Sequence, residues 1–190
     1  MTRERTERRR SGQLGRPNRE APAIVTTRPE SPSDQAAIRE IHEQAFARVD
    51  EADLVEALGT EGLARLSLVA VRGGEVLGHV LFSEITLDAD GARRPCLALA
   101  PLAVHPEHQR RGLGARLVMD GLARVRAGEP RLVFVLGDPG YYEKFGFSAP
   151  DAASFEARYA GPAFQVWRPA AASDLPRRGV LRYSAPFGKF

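Results

Sequence analysis

The sequence predicts a mixed α/β fold: a mixed sheet of about seven strands with helices on both faces. Three observations carry this. Segments with helical period and segments of strand composition follow one another in the order β-α-α-β-β-β-α-β-α-β-β. Residues 96–104 are apolar on both alternating faces, as a central strand covered on both sides must be. Residues 113–126 place Val118, Leu122 and Val125 at i, i+4 and i+7, one stripe to lay on that sheet.

The elements follow in order. Residues 23–27 read as a short β-rich strand ended by Pro29. Ser31-Pro32-Ser33-Asp34 is a helix start, with a capping hydroxyl, proline at the first helical position and a carboxylate near the positive end of the dipole. Ile38, Ile41 and Ala45 then give one apolar face. A second helix is expected over residues 52–58, stopped by Gly59. Strands are expected at 66–71 and 76–87, joined by Gly73-Gly74, with Asp90-Gly91 turning the chain into 96–104. Pro101 contradicts a regular ladder there, because proline donates no hydrogen bond; a bulge or a splayed edge resolves the conflict. After the helix at 113–126, residues 132–136 form a buried strand and Gly137-Asp138-Pro139-Gly140 a turn. Residues 141–145 form a short helix ended by Gly146, and strands follow from Phe147 and at 164–167. The stretch 169–190 is expected to pack on the domain as an extension, with a strand near 180–183.

Composition removes several classes of function. At 190 residues and 20.7 kDa the chain has room for one domain. The longest uncharged apolar run is far shorter than the roughly 20 residues of a membrane helix. No apolar segment of the secretory kind follows Met1, so a cytoplasmic protein without membrane contact is expected. One cysteine, Cys96, excludes an internal disulfide and a multi-cysteine zinc site, and no metal is expected. The net charge of +3 is unevenly placed. Seven arginines and three glutamates fall in residues 1–22, leaving the rest of the chain close to neutral. That segment holds too little apolar surface to offset its ordering entropy and reads as a disordered tail. An arginine-rich arm binds phosphates without sequence preference, but arginine replaces lysine throughout this chain, so nucleic acid is not the expected partner.

The chemistry is concentrated in residues 102–117, LAVHPEHQRRGLGARL. A buried strand ends, a polar loop follows, and Gly112-Leu113-Gly114 opens a helix. The first turn of a helix offers unpaired N–H groups and the positive end of the dipole, and glycine lets the backbone approach an anion closely. Arg110, Arg111 and Arg116 add positive charge. A diphosphate fits such a cradle. The loop lacks the lysine of a Walker motif, and Leu117 stands where a dinucleotide fingerprint has its third glycine.

The segment as a whole resembles a known family. Gln109-Arg110-Arg111-Gly112-Leu113-Gly114 is similar to the Q/R-x-x-G-x-G/A motif of the GNAT superfamily of N-acetyltransferases. Leu102-Ala103-Val104 with Pro106 looks like that family's strand end. Tyr142-Glu143-Lys144-Phe145-Gly146-Phe147 resembles its Y-E-K-x-G-F element, and the longer GDPxYYxxFGF form, residues 137–147, resembles a subgroup of bacterial predicted acetyltransferases. The resemblance covers residues 23–168, the expected N-acetyltransferase domain.

The resemblance implies a GNAT-like acyl-CoA acyltransferase fold with a splayed central strand pair and acetyl-CoA as cosubstrate. The pyrophosphate would lie on backbone N–H groups of Gln109, Arg110, Arg111, Gly112, Leu113, Gly114 and Ala115. The pantetheine arm would pair with Leu102, Ala103 and Val104, with the thioester in a gap beside residues 132–136. The reaction implied is direct acetyl transfer to a primary amine of a small molecule or peptide. Tyr142 is the candidate proton donor to the leaving thiolate, with Tyr141 its competitor. Many relatives carry a glutamate on the fourth strand; residues 96–104 contain none, and Glu84 on the preceding strand is the candidate base. His105 and His108 flank the motif and are further candidates; water-mediated deprotonation needs none of these. The acceptor is expected between the first two helices and the C-terminal strands, near Phe164, Trp167 and Tyr183. A non-catalytic acyl-CoA sensor is the alternative, and dimers are common in the family.

Overall fold

The computed structural model describes residues 24–129, 131–170 and 174–189; the tail expected at 1–22 lies outside them. Among the described residues, nine strands join one sheet. β1 (Thr26–Pro29), β2 (Ala64–Arg72), β3 (Glu75–Ala89) and β4 (Ala92–Val104) are successive antiparallel neighbours. β5 (Val133–Leu136) lies parallel to β4, and the sheet continues antiparallel through β8 (Phe164–Trp167) to β6 (Phe147–Ser148). β9 (Gly179–Arg182) takes over from β2 along residues 86–88 of β3, with β7 (Phe155–Glu156) parallel to it. The count exceeds seven by β9, which falls in the C-terminal extension, and by β7, whose two residues are too few to show alternation.

Helices cover both faces. α1 (Gln35–Phe46) follows a 3-10 turn at Pro32–Asp34, where the Asp34 carboxylate accepts from the Ser31 N–H at 2.8 Å and from the Arg28 guanidinium at 2.6 and 2.8 Å. Those bonds hold the Asp34 carboxyl well below the usual carboxylate range, the Arg28 contact contributing most. α2 (Asp50–Thr60) packs beside α1 on the same face. α3 (Leu113–Ala127) crosses the opposite face between the parallel strands β4 and β5. It lies so close to β3 that a Cβ on Gly121 would meet the Phe82 ring at 2.3 Å. Two short helices, α4 (Pro139–Tyr142) and α5 (Ala149–Ala152), follow β5. No helix among the described residues is long and apolar enough to cross a membrane.

The alternation of β3 and β4 sorts the core into two layers. Leu81, Ile85, Cys96 and Ala98 pack with Leu54 and Leu58 of α2 on one face. Val80, Phe82, Leu97 and Leu99 pack with Leu117, Val118 and Leu122 of α3 on the other.

The central strand pair separates. β4 and β5 are in register only at Leu97–Val133 and Ala98–Phe134, after which β4 runs on to Val104 and β5 to Leu136 without pairing. The β3–β4 register also shifts, from Val80–Leu102 to Phe82–Leu99, so Leu81 faces two residues, Ala100 and Pro101. The expected bulge at Pro101 and the splayed edge thus coincide.

Candidate active site

The strand end and the glycine loop form the first part of the site. β4 ends at Val104, a 3-10 turn follows at Pro106–His108, and the Gln109 side chain donates to the Val104 carbonyl at 3.1 Å, bracing the loop against the strand. Arg110 (φ 58°) and Gly112 (φ 82°) both adopt the left-handed conformation, which turns the chain sharply into α3. The first turn of α3 opens on a groove of about 460 Å³ lined by Leu102, Val104, His108, Gln109, Arg110, residues 112–115, Tyr141 and Lys144. A Cβ on Gly114 would stand 2.8 Å from the Tyr141 hydroxyl, so the cradle is shaped for a residue without one.

Not every residue expected in the cradle reaches it. Arg111 does not line the groove, and the side chain of Ala103, on the strand whose backbone is expected to meet the pantetheine arm, is buried opposite His79. Arg116 donates to the Val25 carbonyl at 2.6 Å and lies 3.8 Å from Asp120, which ties it to the start of the sheet instead. Lys144 takes up the positive role, its Nζ 4.7 Å above the Tyr141 ring.

The second part is the gap itself. Where β4 and β5 separate, a cavity of about 320 Å³ opens between residues 98–102 of β4 and Phe134, Val135 and Leu136 of β5. Tyr142, Phe46, Glu51, Leu54, Tyr159, Tyr183 and Phe187 complete its wall. Leu102 lines both the groove and the cavity, so the two meet at the β4 bulge.

Adjacent tyrosines serve the two compartments. Asp138 caps α4 by accepting from the Gly140 N–H at 2.9 Å, and the Tyr141 and Tyr142 N–H groups both bond its carbonyl. The rings of Tyr141 and Tyr142 stand perpendicular, centroids 5.0 Å apart. Tyr141 faces the groove and Tyr142 the cavity. Tyr142 is buried against Gly137, where a Cβ would meet its ring at 2.4 Å. Burial pushes the Tyr142 phenol well above its ordinary range, and pushes Tyr141 up as well.

Glu84 is not brought to this site. It pairs with Leu97, before the strands separate, and its carboxylate meets Arg65 at 2.8 Å and Arg131 at 3.4 Å. Those guanidinium contacts, Arg65 foremost, lower its pKa, the opposite of what a base needs near neutral pH. The candidate base is therefore withdrawn. Phe164 and Trp167 are corrected too: Phe164 stacks on Phe134 in the core, and Trp167 is buried in the α3 layer near Arg126. Tyr183 does line the cavity. His105 and His108 stay on the loop; with Glu107 they bring ligand atoms within 4.8 Å of one another, but on an exposed turn with nothing buried to orient them.

Sequence reasoning missed Phe46, Glu51, Tyr159 and Phe187. Glu51 was obscured by the acidic start of α2, Asp50, Glu51 and Asp53, which reads as dipole complement. In the structure its side chain is only 13% exposed and is gripped by Arg48, whose Nε lies 2.9 Å from it.

Comparison with known proteins decides the family. Residues 26–149 match the model of the acetyltransferase (GNAT) domain. The chain belongs to the GNAT acetyltransferase family. As a GNAT member it is an acyltransferase enzyme, and its relatives agree. It is 42% identical over 117 residues to the uncharacterized N-acetyltransferase YjhQ of Escherichia coli, covering 60% of this chain and 65% of that protein. It is 34% identical over 166 residues to YhbS of the same species, covering 86% of this chain and 98% of that protein. The E. coli YhbS structure in complex with CoA superposes with a TM-score of 0.79 at 33% identity, covering 90% of this chain and 95% of that one. A GNAT acetyltransferase from Brucella melitensis in complex with acetyl-CoA gives 0.73 at 35% identity, covering 87% and 99%. The match to the GNAT model ends before Tyr159, Tyr183 and Phe187, which line part of the cavity wall.

Proposed function

We propose that this GNAT enzyme moves an acetyl group directly from acetyl-CoA to a primary amine. The observation that carries the reading is the meeting of groove and cavity at Leu102: an anion cradle at one end and a buried phenol at the other flank one gap in the sheet. Binding of CoA and acetyl-CoA by the two relatives supports the same donor here. Acetyl-CoA supplies the activated thioester.

The chain's own residues supply the rest. The first-turn N–H groups of α3, with Arg110 and Lys144 beside them, hold the pyrophosphate. The β5-facing edge of residues 99–104, released by the parted ladder, offers backbone groups to the pantetheine amides and an N–H for the carbonyl oxygen as charge develops on it. The ammonium first gives one proton to water at the cavity mouth; the neutral nitrogen then forms the C–N bond as the C–S bond breaks, and the second proton it sheds returns to the Tyr142 oxygen. Tyr142 donates its proton to the departing sulfur; its raised pKa keeps that proton in place until it is needed. A cytoplasmic location follows from the same reading, since that is where acetyl-CoA is held.

One observation favours acyl-CoA binding without turnover: no carboxylate of β4 lines the cavity. Release of free CoA thiol in the presence of amines separates the readings. Acetyl transfer predicts thiol release that depends on amine and falls in Tyr142→Phe; a sensor predicts tight CoA binding and no amine-dependent release.

A further inference from the structure

The cavity wall carries information on the acceptor. Its outer part is aromatic: Phe46 from α1, and Tyr159, Tyr183 and Phe187 from the C-terminal segment. The last three hold one another in perpendicular contact, Tyr159–Tyr183 at 4.9 Å and Tyr183–Phe187 at 5.3 Å between centroids. The Tyr159 hydroxyl donates to the Phe187 carbonyl at 2.8 Å, which fixes the corner. Rings held in this way meet a flat apolar group without losing further side-chain freedom. Phe46, 38% exposed, lines the same cavity as an open aromatic.

The charge inventory is short. Among the described residues Glu51 is the one carboxylate of the wall, and Arg48 grips it from outside the cavity. Arg48 lies 3.7 Å from Asp50 as well, so these three groups carry one net negative charge, which a single ammonium balances. A polycation such as an aminoglycoside or polyamine would bring further ammonium groups against rings and leucines, where an unpaired charge is heavily penalised. The volume of about 320 Å³ must also hold the thioester end of the donor, which leaves space for a compact group beyond the reacting nitrogen.

We propose that the acceptor is a small primary arylalkylamine: one ammonium drawn by Glu51, one aromatic group held by Phe46 and the Tyr159–Tyr183–Phe187 corner. The inference rests on the acetyl-transfer reading and narrows it. One ammonium proton leaves to water before attack; the neutral nitrogen forms the C–N bond, the thiolate departs with the Tyr142 proton, and the nitrogen's second proton restores the Tyr142 phenol.

The test uses 2-phenylethylamine against spermidine and kanamycin, with acetyl-CoA as donor and the full chain as enzyme. We expect kcat/KM for 2-phenylethylamine to exceed both polycations by about tenfold or more, the range a lost charge-assisted contact gives. Glu51→Gln raises KM for the amine by a similar factor and leaves KM for acetyl-CoA unchanged. Phe46→Ala, at a position 38% exposed, raises the same KM. A calorimetric titration of 2-phenylethylamine into the CoA-saturated protein gives a readout independent of turnover. Binding lost in Glu51→Gln, with no amine turned over, would keep the acceptor class and remove acetyl transfer. Turnover confined to spermidine or kanamycin would keep acetyl transfer and overturn the class. Failure of 2-phenylethylamine both to bind and to react would overturn the class, as would octanoyl-CoA outcompeting acetyl-CoA by filling the same cavity.

Discussion

His42 Nε2 lies 2.8 Å from His79 Nδ1, and both rings are fully buried between α1 and β3. The protons in this pair follow from its far end. His79, whose Nε2 lies 3.7 Å away, and the Ser67 hydroxyl hold the Glu30 carboxyl below its ordinary pKa, so it is an acceptor. The Ser67 hydroxyl therefore donates to Glu30, and the His79 Nε2–H donates to Ser67 at 2.8 Å. His79 Nδ1 and His42 Nε2 share one proton between them, and His42 Nδ1 has no partner among the described residues. Burial, and then His79, push the His42 pKa down to about 3.

Acid sensitivity follows from that pair. The unfolded pKa of histidine is about 6.5, above the folded value, so folding favours neutral His42. Its contribution is complete above that pH and is lost as pH falls toward 3, with a slope of up to about 1.4 kcal/mol per unit. Urea unfolding should show lower stability at pH 5 than at pH 7, and the difference should shrink in His42→Phe. Equal stability of the wild type at the two pH values would contradict the assignment.

Tyr142→Phe should lower kcat by about 10²-fold or more, as loss of a positioned acid does, with little change in KM for acetyl-CoA. Because burial raises the Tyr142 pKa, activity should not fall between pH 8 and 10 through loss of that proton. A descending limb near pH 9 that disappears in the phenylalanine variant would count against this.

Gly137→Ala places a methyl group 2.4 Å from the Tyr142 ring. Overpacking of this kind costs about 1–3 kcal/mol. It should also move the phenol, so kcat should drop together with Tm. A variant that melts lower yet keeps full kcat would show that the ring position does not matter to the reaction.

Glu84→Gln should leave kcat within about twofold of wild type and lower stability by less than about 1 kcal/mol, the usual worth of a partly exposed ion pair. A large fall in kcat with normal folding would restore Glu84 as the base.

Local pattern made much of this molecule legible in the sequence. The Gly112 cradle, the two-faced apolar β4 and the α3 stripe each need only neighbouring residues to be recognised, and Pro101 marked the bulge because a missing N–H disrupts any ladder. The acceptor wall has no such signature. Phe46 and Glu51 meet Tyr159 and Phe187 only because β9 returns to β3 more than 90 residues later, at Arg182 opposite Thr86. Glu84 misled for a related reason: its partners Arg65 and Arg131 come from separate elements, and spacing in one strand does not reveal them.

The central claim is that the Gly112 cradle holds acetyl-CoA beside the parted strands. The most direct test is the melting temperature with and without acetyl-CoA, in wild type and in the Gly112→Asp, Gly114→Asp double variant, each first shown to be folded by circular dichroism. At 100 times its dissociation constant a ligand adds about 2.7 kcal/mol, which for a chain of this size raises Tm by roughly 5–10 °C. The account predicts that rise in wild type and its loss in the double variant. A folded wild type with no rise, or an equal rise in both proteins, would contradict it.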